Sequence, residues 1–323
     1  MSRLLKGFCL ISYLLMLSAC QYEHVSEESW AHSDGGLLDA SISADGRYAL
    51  VSVTRGVAEL IDLGTNKHLH QWQHTDQNSG IISTAISSNN KFAITAESNS
   101  LALWETKNGK IIGYWDFPTI TDIAISANGR RALIGMESSR AYYFDLYHGK
   151  IIYEFPHDGI INTVALSNNG EYAITGGNDQ LAKLWNLKTG ELVHQWKQNF
   201  KIYNVAISDD GQYAMSNASL GKTRLWNTST GEMLSQLPMR YMTVSASVFS
   251  PDSSSLLTGR PNQRIDLWDV KTGDLLNTWI PKKELAWGNT PAAVFALAFS
   301  NDGQYIFNEY SDGNARKWKV SKK

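Results

Sequence analysis

The sequence predicts an all-β fold, a β-propeller in which a unit of four antiparallel strands repeats seven times. Three observations predict it: a short turn phrase recurs, its spacing is nearly constant, and apolar residues alternate with small ones on either side of it. The phrase reads Ser-x-Asp/Asn-Gly, with some drift, and begins at Ser43, Ser87, Ser126, Ser167, Ser208, Ser250 and Ser300. Successive intervals of 44, 39, 41, 41, 42 and 50 residues are typical of a propeller blade.

The first two strands of each unit flank the turn phrase. In the fifth unit, Val205-Ala206-Ile207 precedes it and Tyr213-Ala214-Met215 follows it, and this alternation with a period of two indicates half-buried strands. Asp or Asn followed by Gly favours the positive φ of a tight hairpin. The acidic members of the phrase are therefore interpreted as turn residues and not as a catalytic set: Asp45, Asp210, Asp252 and Asp302.

The third and fourth strands are predicted from recurrent apolar ends. The third strand ends at Ile61-Asp62, Trp104-Glu105, Phe144-Asp145, Trp185-Asn186, Trp226-Asn227, Trp268-Asp269 and Trp318-Lys319. A second turn follows, as in Lys188-Thr189-Gly190, and the fourth strand ends at Trp72, Trp115, Phe155, Trp196, Leu237 or Trp279. We expect the Trp and Phe side chains at these ends to be core anchors.

The two ends of the chain predict how the ring closes. The seventh unit stops at Lys317-Trp318-Lys319-Val320 and lacks a fourth strand. At the other end, Trp30-Ala31-His32 aligns with Trp72-Gln73-His74, the end of a fourth strand. We therefore expect the segment from Tyr22 to Trp30 to be the outer strand of the last blade, which removes the exposed strand edges of an open ring.

These repeats resemble the WD-repeat β-propeller family over nearly the whole predicted mature chain. Trp268-Asp269 keeps the dipeptide of that family, and the resemblance implies a structural hydrogen-bonded tetrad of His157, Thr175, Asp179 and Trp185. The last unit has Asp312 at the matching place but no matching His, and Arg55, Ser138 and Leu220 take the Asp place elsewhere. We expect those blades to rely on apolar packing.

The first residues have the pattern of an export signal. Arg3 and Lys6 precede an apolar run from Phe8 to Leu17, which is too short to span a bilayer. Leu17-Ser18-Ala19-Cys20 resembles the bacterial lipobox, which implies a signal peptide at 1–19, a lipidated (palmitate-carrying) Cys20, and a mature propeller at 20–323. By resemblance to lipoproteins of enteric-type bacteria, an Asp directly after the Cys would favour retention in the inner membrane. Gln21 takes that place here, so we expect the outer membrane, facing the periplasm. An ordinary secretory signal is the alternative.

Composition narrows the classes of function. Lys and Arg total 29 against 31 Asp and Glu, a formal net charge of −2, so the chain has no general attraction for nucleic acid. Cys9 and Cys20 are the two cysteines, and neither would leave a free thiol in the mature chain. No common motif for nucleotide, zinc or serine-hydrolase chemistry is present. We expect no cofactor and no metal; His68, His70 and His74 lie close together but fall on an outer strand of the repeat.

Departures from the repeat point to a partner surface. The last interval is about nine residues longer than its neighbours, and the excess falls within Pro281 to Pro291, where Trp287 has no equivalent in other units. Aromatic and Arg side chains are common interface anchors. The candidate patch comprises Trp287, Arg240, Tyr241, Phe200, Phe117, Arg260 and Tyr310. A loop that packs onto its own propeller is the alternative.

Two functions remain open on the sequence. The first is a lipid-anchored, non-enzymatic scaffold that presents one face to a protein partner of the bacterial envelope. The second is an enzyme, or a protein that binds carbohydrate or another small ligand, with its site in the central channel or a face pocket. Paired carboxylates or His side chains with shifted pKa values in a cleft would favour the second.

Overall fold

The computed structural model describes residues 25–54, 56–74, 80–239, 243–281 and 292–320. The predicted signal peptide and Cys20 lie outside these ranges. All regular secondary structure in them is β-strand, arranged as seven four-stranded antiparallel sheets. None of their segments is a helix long and apolar enough to cross a membrane. The predicted seven-bladed propeller is therefore confirmed.

The blades follow one another in chain order. Blade one is β2 (Leu37–Ile42), β3 (Tyr48–Val53), β4 (Val57–Asp62) and β5 (Lys67–Gln73); blade two is β6 (Ser83–Ile86), β7 (Phe92–Glu97), β8 (Ser100–Glu105) and β9 (Ile111–Asp116). Blade three is β10 (Ile120–Ile125), β11 (Arg131–Met136), β12 (Arg140–Asp145) and β13 (Lys150–Pro156); blade four is β14 (Ile161–Leu166), β15 (Tyr172–Gly177), β16 (Leu181–Asn186) and β17 (Leu192–Lys197).

The remaining blades complete the ring. Blade five is β18 (Ile202–Ile207), β19 (Tyr213–Ala218), β20 (Thr223–Asn227) and β21 (Met233–Gln236); blade six is β22 (Ala246–Phe249), β23 (Ser255–Gly259), β24 (Ile265–Asp269) and β25 (Leu275–Trp279). Blade seven is β26 (Val294–Phe299), β27 (Tyr305–Tyr310), β28 (Asn314–Lys319) and, outermost, β1 (Glu28–Ala31).

Closure occurs as the chain ends predict, but the outer strand is Glu28–Ala31 and starts later than the predicted Tyr22; Tyr22 to His24 lie outside the described residues. β1 pairs antiparallel with β28, with Glu28 opposite Lys317 and Ala31 opposite Asn314. The Lys317 Nζ lies 2.8 Å from the Glu28 Oε1. The innermost strands β26 and β2 also contact each other, so blade seven packs against blade one.

The first turn of every blade is built by its Ser. The Ser208 Oγ donates to the Asp210 Oδ1 at 2.6 Å and accepts the backbone N–H of Tyr213 at 2.9 Å, while Gly211 has a φ of 72°. The same Ser-to-Asp/Asn hydrogen bond recurs in all seven blades, from Ser43 in blade one to Ser300 in blade seven. The interpretation of the recurrent acids as turn residues is confirmed.

Aromatic residues fill the boundaries between blades. Trp72, at the end of a fourth strand, stacks on Trp104 of the next blade with ring centroids 5.2 Å apart, and its Nε1 donates to the Gly109 backbone oxygen at 3.1 Å. Trp196 stacks likewise on Trp226 at 4.9 Å. Stacking adds to the free energy gained by burying these large side chains. The expected core role of the terminal Trp side chains holds at these boundaries.

The disc has two faces. The turns between strands one and two, and between strands three and four, lie on one side, called here the turn face. The connections between strands two and three, and between successive blades, lie on the other, called here the loop face. Since β1 is the fourth strand of its blade, the chain before Glu28 enters on the turn face.

Candidate partner-binding face

The four residues of the predicted tetrad form one hydrogen-bonded chain. The Trp185 Nε1 donates to the Thr175 Oγ1 at 2.9 Å, and that oxygen lies 2.7 Å from the His157 Nε2. The His157 Nδ1 lies 2.8 Å from the Asp179 Oδ2. Burial opposes ionisation of Asp179, but the hydrogen bond from His157 and its charge hold the pKa of that carboxyl below its ordinary value. These residues tie blade four to the chain arriving from blade three.

Two other blades carry comparable chains, and in blade five this differs from the expectation of apolar packing alone. In blade two, His74 contacts Ser100 at 2.7 Å and Thr95 at 2.8 Å, and the Thr95 Oγ1 also accepts the Trp104 indole. In blade five, the Gln198 Nε2 donates to the Ser216 Oγ at 2.7 Å. Both chains form without the Asp, because the Thr95 or Ser216 hydroxyl still accepts the indole N–H of the third-strand Trp.

The last blade differs in another way. No matching His was expected there, yet His32, which follows β1, places its Nδ1 2.9 Å from the buried Glu309 Oε1. Burial raises the pKa of Glu309, and the His32 hydrogen bond opposes that rise. The His is supplied by the N-terminal segment and not by the seventh unit itself.

The central channel is lined by the innermost strands. Its cavity, about 400 Å³, is polar along blades one to five, where Asp39, Ser83, Asp122, Thr163 and Asn204 occupy equivalent positions. Blades six and seven have Ala246 and Ala296 there. The channel therefore has a polar side and a smaller apolar side.

These polar side chains link neighbouring blades. The Asp39 Oδ2 accepts the Thr84 backbone N–H at 2.7 Å, and the Asp122 Oδ2 accepts that of Val164 at 2.8 Å. The Thr163 Oγ1 receives the N–H of Val205 in the same way. Bulges interrupt the strand pairing at Ile161/Thr163 and Ile202/Asn204, and the Asp122 and Thr163 side chains of the preceding blades accept the backbone N–H groups of Val164 and Val205 beside them.

The two channel carboxyls are perturbed. Burial raises the pKa of Asp39 to about 7, and the nearby Asp122 contributes to the rise; burial raises the pKa of Asp122 to about 6. Paired carboxyls with raised pKa values are the feature that favours the small-ligand alternative. Ser83, Thr163 and Asn204 occupy the same place without a charge, which indicates a structural role for the position.

The predicted patch divides into three groups. Arg240, Tyr241 and Trp287 lie outside the described residues. Phe200 lies on the loop face between blades four and five, with 44% of its surface exposed. The other three, Phe117, Arg260 and Tyr310, are buried.

The expectation that these three side chains face solvent is wrong. Phe117 packs edge-on against Phe144 of the next blade, with ring centroids 5.2 Å apart. The Arg260 Nη2 pairs with the Asp266 Oδ2 at 2.6 Å inside blade six. Tyr310 ends β27 within the core between blades six and seven, and burial raises its pKa well above the ordinary value. Each of these residues lies at the end of a strand or directly after it.

Phe200 borders a loop-face cavity of about 600 Å³. The cavity, called here the Phe200 pocket, is lined by Gln198, Asn199, Phe200, Leu220, Gly221, Lys222, Arg224 and Met239. Leu220 is 59% exposed and has a φ of 52°, in the left-handed region that side chains other than Gly rarely adopt. The connection that carries it, 219–222, has one residue more than 178–180 in blade four because β20 begins one position later than β16 does. Ser208 to Trp226 and Ser167 to Trp185 both span 18 positions, so no difference in length marked Leu220 or Lys222 in the sequence.

The Phe200 pocket is cationic at its rim. Lys222 and Arg224 line it, and no Asp or Glu does. The Arg224 Nη1 donates to the Lys197 backbone oxygen at 3.3 Å, while its Nε has no hydrogen-bond partner among the described residues. An exposed aromatic ring and two cations therefore lie together on one face.

The three clustered His side chains have separate partners. The His68 Nδ1 lies 2.5 Å from the Glu59 Oε2, the His70 Nε2 lies 2.9 Å from the Thr106 backbone oxygen, and His74 belongs to the blade-two chain. In the part of the chain that the structure describes, no three His, Cys, Asp or Glu side chains are grouped to hold a metal ion.

Comparisons with known proteins agree with the blade architecture. The family model described as "WD domain, G-beta repeat" matches residues 149–186, which contain the complete tetrad of blade four. Human (Homo sapiens) apoptotic protease-activating factor 1 is 37% identical over 75 residues, which is 23% of this chain and 6% of that protein. The aligned part thus spans a small fraction of that relative. The family model matches one repeat, that of blade four, and the other six blades have the same four-stranded antiparallel build.

Proposed function

We propose that this chain is a non-enzymatic scaffold of the bacterial cell envelope, held to a membrane by a lipid on Cys20, whose loop face binds a protein partner. A WD-repeat propeller suggests a protein-interaction scaffold. The single observation that carries the choice of face is the Phe200 pocket, where exposed apolar side chains lie beside unpaired cations.

The apolar part of this surface supplies binding energy. Phe200 and Leu220 remain largely in water in the free chain. Covering them releases free energy of roughly 25 cal/mol per Å² of apolar surface. Exposed apolar side chains around a concave site are typical of interface anchors.

The charge of the rim selects the partner's chemistry. Lys222 and Arg224 form no ion pair among the described residues. A partner segment that carries Asp or Glu beside an apolar side chain would pair with both charges. We therefore infer an acidic, partly apolar segment as the occupant.

The tether sets the orientation of the disc. The chain before Glu28 enters on the turn face, and Cys20 precedes Val25 by five positions. A stretch of this length reaches at most about 3.3–3.6 Å per residue. The rim of blade seven therefore lies close to the bilayer, and the loop face is the face opposite to the one on which the tether enters.

Crosslinking in intact cells, followed by co-purification, tests the binding face. The double variant F200A/L220A should capture at least tenfold less partner than the wild type at unchanged melting temperature. Tyr147, an exposed aromatic on the turn face, provides the matched control Y147A, which should capture normally. Equal capture by F200A/L220A and wild type would reject this face.

Labelling with an alkyne palmitate tests the anchor separately. The wild type should incorporate label and sediment with membranes, and C20S should do neither. Label retained by C20S would contradict lipidation at Cys20, whatever the result for the loop face.

A second candidate is a small-ligand or carbohydrate-binding channel, which the perturbed pair Asp39 and Asp122 favours. Thermal-shift titration at pH 6 with glucose and N-acetylglucosamine tests it. Stabilisation of the wild type that disappears in D122N would support this function. No shift in either protein would oppose binding of these sugars.

A further inference from the structure

A cleft between blades six and seven opens on the turn face, opposite the Phe200 pocket. Its cavity of about 460 Å³ is bounded by Ser255, Leu267, Leu276, Phe299, Gly303 and Val320. The floor is apolar, and Leu276 is partly exposed to solvent. Two of the residues that line the cleft, Ser255 and Asn277, differ from most of their counterparts in the other blades.

One cause is the first residue of β23. The second strand begins with Tyr48, Phe92, Arg131, Tyr172, Tyr213, Ser255 or Tyr305 in successive blades. Where this residue is aromatic, its ring can cover the first turn of the next blade: the Phe92 ring lies against Gly129 and the Tyr172 ring against Gly211. Ser255 is too small to do so, and a Cβ added at Gly303 would meet nothing within 4 Å.

A second cause is a missing hydrogen bond between blades six and seven. His70 in blade one and Ser235 in blade five each hydrogen-bond a backbone oxygen of the next blade, that of Thr106 at 2.9 Å and that of Val270 at 3.1 Å. Asn277 occupies the same position in blade six. It is more than nine-tenths buried, lines the cleft, and its Nδ2 has no hydrogen-bond partner among the described residues.

The rim of the cleft is negatively charged. Asp252 and Asp302 stand at its mouth, and no Lys or Arg lines it. The hydrogen bonds from Ser250 and Ser300 hold the pKa values of these carboxyls below their ordinary value, so both are ionised at neutral pH. A cationic group beside the occupant would therefore be attracted.

We propose that this cleft binds a tyrosine side chain of a partner protein, adjacent in sequence to a Lys or Arg. The fold itself fills the equivalent space with an aromatic ring, which defines the shape of the occupant. The Asn277 Nδ2 then donates to the phenolic oxygen, and the flanking cation faces Asp252 and Asp302. The inference is independent of the loop-face proposal, because the two sites share no residue.

Ligand-observed NMR titration of the full chain with the peptide acetyl-Gly-Tyr-Lys-Gly-amide tests the proposal. S255Y supplies the missing ring from within and should lower the affinity at least tenfold. R131Y makes the same replacement at the equivalent position of blade three and should bind as the wild type does. Wild-type affinity in S255Y would overturn the proposal.

Titrations with altered peptides and with two other variants keep the test decisive if S255Y does not fold. The peptide with Glu in place of Lys should bind at least fivefold more weakly, and D252N/D302N should remove that difference. The peptide with Phe in place of Tyr should bind wild type about threefold more weakly than the Tyr peptide does. The two peptides should bind N277S with equal affinity. Equal affinities of wild type for all three peptides would contradict the assigned contacts.

One other occupant is distinguishable. Tyr22 of this chain lies outside the described residues and could compete for the cleft. Peptide affinity that rises threefold or more in Y22A would show that the chain's own segment occupies it, and would overturn the partner assignment. Unchanged affinity in Y22A supports a site that is open to a partner.

Discussion

Gln198 holds in blade five the position that His157 holds in blade four. The Gln198 Nε2 donates to the Ser216 Oγ at 2.7 Å, and the His157 Nε2 lies 2.7 Å from the Thr175 Oγ1. In both blades the hydroxyl also accepts the indole of the third-strand Trp, at 2.9 Å. The position therefore requires a side chain that reaches the hydroxyl, and an imidazole is one of two residue types that do so.

His74 predicts a loss of stability in acid. Burial lowers its pKa to about 4 from an ordinary 6.5, so the unfolded state binds the proton more tightly. The free energy of unfolding should therefore fall as pH drops from 6.5 to 4, by roughly 2 kcal/mol. H74Q, which copies Gln198, should lack this loss; denaturant titrations at pH 7 and pH 4.5 measure it. Identical pH dependence in both proteins would refute the assignment.

Asp39 predicts the opposite trend. Its folded pKa of about 7 lies above the ordinary 3.8, so the folded state binds the proton more tightly and loses stability as pH rises from 4 to 7. D39N retains an oxygen to accept the Thr84 N–H but carries no charge. At pH 8 it should be more stable than wild type by roughly 1–3 kcal/mol, and the difference should vanish below pH 4. Thermal melts across this range provide the check.

The tetrad predicts a graded response at His157. H157A leaves the buried Thr175 hydroxyl and the Asp179 carboxylate without their shared partner, at a cost of roughly 2–3 kcal/mol. H157Q should restore about half of this, because an amide can reach the hydroxyl as Gln198 does. Urea unfolding curves compare the three proteins; equal stability of H157A and wild type would contradict a stabilising chain.

We expect the pairing of β1 with β28 to stabilise the folded ring. Trp30 lies opposite Ala315 in the outer pair of blade seven. The His32 N–H donates to the Gly313 backbone oxygen, so the alternation of an antiparallel pair directs the Trp30 N–H toward β28, and Pro at this position removes that donor. W30P should cost roughly 1–3 kcal/mol, and limited proteolysis should cut blade seven faster. W30A, which keeps the backbone donor, is the control. Equal proteolysis of W30P and W30A would argue against a closing role.

Much of the fold was predictable because it depends on local chemistry. The Ser and Asp/Asn of each first turn hydrogen-bond within two residues, as at Ser208 and Asp210, so the sequence contains the whole interaction. Closure was predictable because Trp30 and Trp72 end equivalent strands. Such features require no knowledge of which blades touch.

The partner patch was less predictable because exposure depends on strand ends. Tyr310 is the last residue of β27 and Arg260 directly follows β23, so an error of one or two positions assigns a buried side chain to a loop. The partner of Arg260, Asp266, lies on the adjacent strand and cannot be read from spacing. Leu220 was missed because the distance from Ser208 to Trp226 equals that from Ser167 to Trp185, so no spacing marked its connection.

The channel was not predictable at all. Asp39 and Asp122 are read from the sequence as ordinary polar residues of alternating strands. Burial raises their pKa values, and the backbone donors of other blades that partly oppose the rise, such as Thr84 and Val164, are distant in the sequence. Only the assembled ring brings those groups together.

Pairing of β1 with β28 has a consequence for the order of assembly. Lys317 and Glu28 are separated by 289 positions, so β1 is synthesised long before β28 and waits for it. Blades one to six can acquire their neighbours progressively during synthesis, whereas blade seven stays three-stranded until both ends meet. Joining such distant segments is slow because of the chain entropy lost. Completion of blade seven should therefore be the step of folding at which a chaperone protects the chain most.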